Sequence, residues 1–205
     1  GIGSTAGSAM TNNSYNTVIG YGALATANTG EESNTVIGYG AGADIDHADS
    51  DGNVIIGQSA GSGGGAAMAS CVAIGQYAMN STAANAQTGT IAIGTSALTA
   101  LTSGGDNTAM GHLALTGLTT GVNNVAIGNY AADAMVGGES NNIAIGKHAM
   151  GLMDEDNETI DQNIAIGTDA MYGGDLAGTD RDYTNNIAIG FQAMDGKAPR
   201  CVIHW

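Results

Sequence analysis

The stretch Asn142-Ile143-Ala144-Ile145-Gly146-Lys147-His148-Ala149-Met150 states the fold in nine residues. Its frame, N-x-A-I-G-x-x-A-M, returns along the whole chain. Aligned on the glycine, it falls at Gly3, Gly20, Gly38, Gly57, Gly75, Gly94, Gly111, Gly128, Gly146, Gly167 and Gly190, eleven copies spaced 17 to 23 residues apart. Every copy has alanine three residues after the glycine, as at Ala23, Ala41, Ala131 and Ala149. Isoleucine precedes the glycine in ten copies and Met110 in the other. Asparagine stands four residues before it in eight of the ten complete copies, Asn124 and Asn142 among them, with Cys71 and Thr90 as the exceptions. Self-similarity at such a period marks a stacked repeat architecture.

Each copy reads as a short β-branched strand, then glycine, then a second short segment ending in Leu or Met. No segment sustains a 3.6-residue apolar period, so helices are not expected. The expected fold is all-β, a parallel β-roll or β-solenoid of about eleven coils over residues 1–194, with 195–205 as a cap or junction. Stacked at about 4.8 Å, such coils make a rod of about 50 Å. The fixed residues have physical roles in that stack. Gly20, Gly38, Gly128 and Gly146 mark a corner that needs positive φ or close backbone approach. The alanine column implies an interior wall with room for one methyl. Stacked asparagines such as Asn124 and Asn142 can bond from coil to coil. So thin a coil cannot hide Ile and Val on both strand faces. One face is expected inside and the other against neighbouring chains, as a homotrimer around the long axis.

Composition agrees. Of 205 residues, 34 are Gly and one is Pro, while aromatics make up 4% and charged residues 11%, so bulk and charge are both too scarce for an ordinary globule. At 43% apolar the chain is nonetheless too hydrophobic for a disordered acidic tail. Glycine does not recur every third residue, which excludes collagen. Nineteen acids against four Lys and Arg give a net charge of −15, which repels phosphate backbones and argues against nucleic-acid binding. No apolar run approaches the roughly 20 residues that span a bilayer, so this segment is not expected to insert in a membrane. The chain opens inside a repeat, at Gly1-Ile2-Gly3, and reads as part of a longer protein or a processed product.

The segments between repeat cores carry the variation. Eighteen of the 19 acids lie there, with Asp169 the exception. The two longest inserts, residues 151–162 and 172–185, are the favoured binding loops. Two acidic runs offer hard oxygen ligands suited to Ca²⁺: Asp44, Asp46, Asp49 and Asp51, and Asp154, Asp156 and Glu158. Neither follows an EF-hand loop, and a solvated, self-repelling surface accounts for them as well. No other cofactor is expected. Enzyme-like strings dissolve into the repeat. Gly57-Gln58-Ser59-Ala60-Gly61 fits a hydrolase nucleophile elbow, and Gly20 to Ala25 fits a dinucleotide pattern, yet both occupy the common frame with no helix following. His47, His112, His148 and His204 fall at unrelated repeat positions, so no imidazole column is expected. Cys71 and Cys201 lie about seven coils apart, too far for a disulfide. Cys71 is expected to be buried, and the tail with Pro199 and Trp205 to cap an open sheet edge.

These repeats resemble the head repeats of YadA-like trimeric adhesins, and closely similar IAIG-type repeats occur in phage tail fibres. The resemblance runs from Ile2 to Met194. It implies a left-handed parallel β-roll, a homotrimer and a non-enzymatic role outside the cell. On the phage-fibre side it implies attachment of a virion tail fibre to a host-surface glycan or outer-membrane receptor, alongside other fibre or virion proteins. The coils are longer than the adhesin repeat and their inserts vary, and no coiled-coil stalk or membrane barrel falls within the segment; the longer coils favour the phage-fibre branch. The head of a bacterial trimeric autotransporter, on the bacterial cell surface, is the alternative. An ice-binding or surface-array solenoid would want regular threonine ranks, whereas Thr17, Thr35 and Thr108 are scattered. A glycan-cleaving tailspike needs paired carboxylates, and the acids here show no pairing.

Overall fold

The computed structural model describes residues 1–28, 30–64, 66–81, 86–152, 160–173 and 183–195. Fourteen short strands follow one another among these residues: β1 (Thr17–Ile19), β2 (Thr35–Ile37), β3 (Val54–Ile56), β4 (Met68–Ala69), β5 (Val72–Ile74), β6 (Gln87–Thr88), β7 (Ile91–Ile93), β8 (Thr108–Met110), β9 (Val125–Ile127), β10 (Ile143–Ile145), β11 (Ile160–Asp161), β12 (Ile164–Ile166), β13 (Tyr183–Thr184) and β14 (Ile187–Ile189). There is no helix among the described residues. The ten repeat strands form a single parallel sheet in the order β1-β2-β3-β5-β7-β8-β9-β10-β12-β14. Register follows the repeat: Val125 lies opposite Ile143, Ala126 opposite Ala144, and Ile127 opposite Ile145. Two smaller parallel pairs, β4 with β6 and β11 with β13, stack just before the main strands.

The all-β parallel solenoid is as expected, but it has about eight turns rather than eleven. Ten strands make the sheet, and only the eight between the two end strands are flanked on both sides. The copy at Gly3 contributes just an isolated bridge, Ile2 to Ile19. A Cβ on Gly190 would meet nothing within 4 Å. A motif marks a corner, and a corner at the end of the ladder does not close a turn. The nine steps of the sheet span roughly 43 Å.

Successive residues of a strand face opposite sides, so each three-residue strand buries its middle residue. Val18, Val36 and Ile55 do so in the first three strands, and alanine does so from Ala73 to Ala188. Ala23, Ala41, Ala131 and Ala149 are fully buried as the second interior column. Leu24, Met79, Leu98, Leu115, Met150 and Met171 form the third. A fourth column, seven residues past the corner glycine, was not legible in the repeat frame: Ala27, Ile45, Leu101, Leu118 and Met135 are all buried. Where the third column holds glycine, larger neighbours fill the gap. A Cβ on Gly42 would lie 3.2 Å from Ile45 Cδ1, and one on Gly61 would lie 3.2 Å from Ile55.

The third column sits on strained backbone. Leu98 has φ 51°, Leu115 50° and Met150 53°. The left-handed region costs an L-residue about 1–2 kcal/mol. Burying a Leu or Met side chain returns about 1.5–3 kcal/mol, so burial prevails.

The asparagine ladder forms. Asn142 Nδ2 donates to Asn124 Oδ1 at 3.2 Å and to the Ile160 carbonyl at 2.6 Å. Asn142 Oδ1 in turn accepts the backbone N–H of Asn163 at 3.0 Å and its Nδ2 at 3.1 Å. Each rung thus satisfies buried polar groups of both neighbouring coils, as a dry interior requires. Cys71 N–H still donates to Asn53 Oδ1 at 2.9 Å, and its thiol donates to the Ala69 carbonyl at 3.4 Å. That thiol is buried, and burial raises its pKa.

The corner glycines stack backbone on backbone. Gly128 has φ 138°, and a Cβ there would sit 2.6 Å from the Gly146 carbonyl carbon. Gly20, Gly38 and Gly146 repeat both features, each against the glycine of the next coil. Gly128→Ala is therefore expected to cost about 3 kcal/mol or more, combining strain with a clash the backbone must move to relieve. Gly22→Ala is the comparison: φ is 64° and nothing lies within 4 Å, so about 1 kcal/mol is expected. Urea-unfolding midpoints of the two variants test the order.

Candidate binding surface

After each glycine the chain turns tightly. The Gly128 and Gly146 carbonyls accept the N–H groups of Ala131 and Ala149, both at 3.3 Å. Within this turn the second residue past the glycine has positive φ: 56° at Tyr130, 54° at His148 and 54° at Asp169. Bonds to the preceding coil hold it, from Tyr130 N–H to the His112 carbonyl at 2.9 Å and from His148 N–H to the Asn129 carbonyl at 3.0 Å. The two residues after the glycine therefore stand on the outside of the corner, stacked with their counterparts on the coils above and below.

Chemistry is concentrated there. Five of the nine aromatic residues (Tyr21, Tyr39, Tyr77, Tyr130 and Phe191) occupy these two positions, so the corner and not the core receives the scarce rings. Tyr21 stacks on Tyr39 with centroids 5.4 Å apart and planes 10° apart. Gln76 Nε2 donates to Gln58 Oε1 at 2.9 Å. Further along, four rings run in sequence: His112 to Tyr130 at 5.3 Å, Tyr130 to His148 at 5.3 Å, and His148 to Tyr172 at 5.5 Å. His148 Nδ1 lies 3.3 Å from Asp169 Oδ1. Asp133 joins the same edge. A Cβ on Gly151 would be 3.1 Å from both Asp133 Oδ1 and Tyr172 Cε2, so carboxylate and ring close over this buried glycine.

Burial raises the Asp133 pKa; the bond from its own backbone and the charge of His148 oppose the shift but do not cancel it. His112 and His148 do sit at different repeat positions, as the sequence indicates, yet Tyr130 joins them into one strip. The repeat alignment compares like positions only, and this strip crosses between positions. The available signal was the enrichment of rings just after the glycine.

Of the acids expected to gather around Ca²⁺, the four from Asp44 to Asp51 do not gather. Asp44, Asp46, Asp49 and Asp51 are exposed along their turn, and Asp51 Oδ1 instead accepts the Glu32 N–H at 2.7 Å. Asp49 Oδ2 faces His47 Nδ1 at 3.7 Å. Among the described residues no three His, Cys, Asp or Glu side chains could hold a metal together, because buried Ile45 and Ser50 alternate with the acids and turn them apart. Asp154, Asp156, Glu158, Cys201, His204 and the tail from 196 lie outside the described residues, as do 153–159 and 174–182 of the favoured loops. Within the rest of those loops, Tyr172 belongs to the ring strip and Asn163 bonds to the Tyr183 carbonyl. Ser59 sits in the corner turn at φ 52°, as Tyr130 and His148 do, with no helix after it. One buried acid was missed altogether. Glu31 is fully buried and accepts a bond from Asn13 Nδ2 at 2.8 Å, seven residues before a corner glycine, where the repeat has no fixed residue. No protein family, characterised protein or solved structure matches the chain.

A carboxyl with a native pKa above its unfolded value holds its proton more tightly when folded. Its contribution to stability then falls as pH climbs from the unfolded value through the native one. Asp133→Asn is accordingly expected to raise the melting temperature at pH 7. The gain should vanish once the pH drops below the ordinary carboxylate range, as thermal melts across pH would record.

Proposed function

We propose that this chain is a non-enzymatic fibre segment, a YadA-like head-repeat rod of the phage tail-fibre kind. It assembles outside the cell as a homotrimer of left-handed coils and presents a surface for attachment to a host envelope. The observation that carries this reading is the outer face of the ten-stranded sheet. The first and third residues of each strand point outward, and from Thr17 and Ile19 to Ile187 and Ile189 they are Thr, Val, Ile or Met. None is buried in the single chain, and Ile187 and Ile189 are more than half exposed. A strip about 10 Å wide along the sheet amounts to on the order of 400 Å² of continuous apolar surface. That is as large as the patches that mark interaction sites, and its straight, in-register columns suit identical chains packed side by side around an axis parallel to the rod.

No acid or ring occupies that face, and among the described residues most of both stand on the turns and corners, where a trimer would repeat them three times. Weak contacts presented in that way gain by multivalency, which suits attachment to a polymer-coated surface. Native mass spectrometry is expected to give three times the 20.2 kDa chain mass. Ile93→Lys, at the centre of the strip, should release monomers that keep the β-sheet circular dichroism. A monomeric unsubstituted chain would overturn the trimer. Failure of the fluorescently labelled protein to bind lipopolysaccharide, capsular polysaccharide or whole bacterial cells would overturn attachment.

A further inference from the structure

We infer that the edge formed by His112, Tyr130, His148 and Tyr172 is a binding site for a glycan chain of neutral or amino-substituted pyranoses. The inference rests on the attachment reading above and places it on the corner, together with Gly151 and Tyr172, the first residues of the two long inserts. Three features of the edge carry it.

The first is continuity. Four rings lie in unbroken contact, at centroid distances of 5.3, 5.3 and 5.5 Å, along the direction in which the coils stack. Successive backbones are about 4.8 Å apart. A step of that size matches the length of one pyranose ring, so a sugar chain laid along the rod meets a new aromatic group at each residue. The C–H faces of a pyranose pack on the π faces and edges of such rings, while the phenol and imidazole tips remain able to bond its hydroxyls.

The second is exposure without disorder. His112 is exposed and the other three rings are half-buried. Coil-to-coil backbone bonds fix each of the turns that carry Tyr130 and His148. His148 is further oriented by Asp169, at 3.3 Å. Little side-chain freedom is left to lose on binding, which favours affinity.

The third is charge, which selects the class of sugar. Asp133 and Asp169 flank the rings, and at Gly151 the Asp133 carboxylate and the Tyr172 ring approach the same point. Carboxylates accept bonds from hydroxyl and ammonium groups and repel uronates, sulfates and phosphates. Among the described residues the one Lys or Arg is Lys147, next to His148 and exposed, in a chain of net charge −15. A site for an acidic polysaccharide would reverse that balance. An amino sugar gains further, since its ammonium can face both a carboxylate and a ring.

Biolayer interferometry of the immobilised full chain against chitohexaose, the chitosan hexamer and hexagalacturonate tests the assignment. Binding to the first two and not to the third is expected. Tyr130→Ala and Tyr172→Ala should each weaken it about tenfold, the usual loss for one stacking ring. Tyr130→Phe should retain most of it. Tyr15→Ala, a fully solvated ring away from the corner, should leave it unchanged, and circular dichroism checks that each variant is folded. Preference for hexagalacturonate would overturn the ligand class. Sugar binding indifferent to both alanine variants would overturn the site while leaving attachment standing. Absence of binding to all three hexamers, with whole cells still bound, would do the same. Loss of binding to cells as well would remove the attachment reading itself.

Discussion

Backbones that stack at about 4.8 Å leave no room for a Cβ between them, and the corner glycines are where this limit is felt most. At Gly38 a methyl would come within 2.5 Å of the Gly57 carbonyl oxygen, and the same collision repeats at Gly57 against Gly75. The rest of the coil follows from keeping that contact in register. The glycine N–H bonds back to the preceding coil, as from Gly146 to the Ile127 carbonyl at 2.8 Å. The residues just before it are thereby committed to a parallel ladder. With the ladder fixed, the middle strand residue must point inward, and the small cross-section restricts it to alanine along most of the rod. Asparagine then becomes useful because its amide can bond to the coil before and the coil after.

Strain is distributed through this scaffold and does not mark a special place. Positive φ recurs at the glycine, two and four residues after it, and five before it, as at Gly128, Tyr130, Ala132 and Asn123. Isolated strained residues are often functional devices. Here the strain is periodic, so its origin is the turn geometry shared by every coil. At the fourth residue past the glycine, burial of Leu or Met compensates directly. At the second, the exposed Tyr77 and Gln192 and the half-buried Tyr130 and His148 have no such full burial, and the backbone bonds between coils carry the compensation. The same geometry therefore leaves the second residue's identity open, since its side chain packs on nothing in the core.

That division explains what could be read from the sequence. The glycine, alanine, isoleucine and asparagine columns recur at fixed offsets, and so do their structural positions. The fold, the register and the ladder were accordingly legible. The fourth interior column was not, because Ala27, Ile45, Leu101 and Met135 share burial without sharing a residue type. Turn number was overread, because a motif at the end of the ladder counts as fully as one in the middle. Sites fared worse. Charge density in Asp44 to Asp51 suggested convergence, but a chain that alternates buried and exposed residues around a turn sends neighbouring carboxylates in different directions. The ring strip was hidden because Tyr172 lies five residues past its glycine while His112 lies one past its own.

A solenoid of this kind separates two demands that a globular domain must meet with the same residues. Stability resides in columns that repeat, and each coil needs only its two neighbours to be satisfied. The corner positions are fixed in space by those columns without being constrained in chemistry by them. Placing an aromatic group or an acid at one corner costs the core nothing, and placing them on consecutive coils yields a linear array at the spacing of the sheet. The scarcity of aromatics in this chain thus has a different sense from scarcity in a globule. Where the interior is built from small and aliphatic side chains, it has little room for a ring, and of the described rings Tyr183 packs against it only in part. Most of the described rings, Tyr21, Tyr39, Tyr77, Tyr130, Tyr172 and Phe191, were therefore free to stand on the outside of the coils, where the coil spacing orders neighbours such as Tyr130 and Tyr172 into a surface suited to a linear partner.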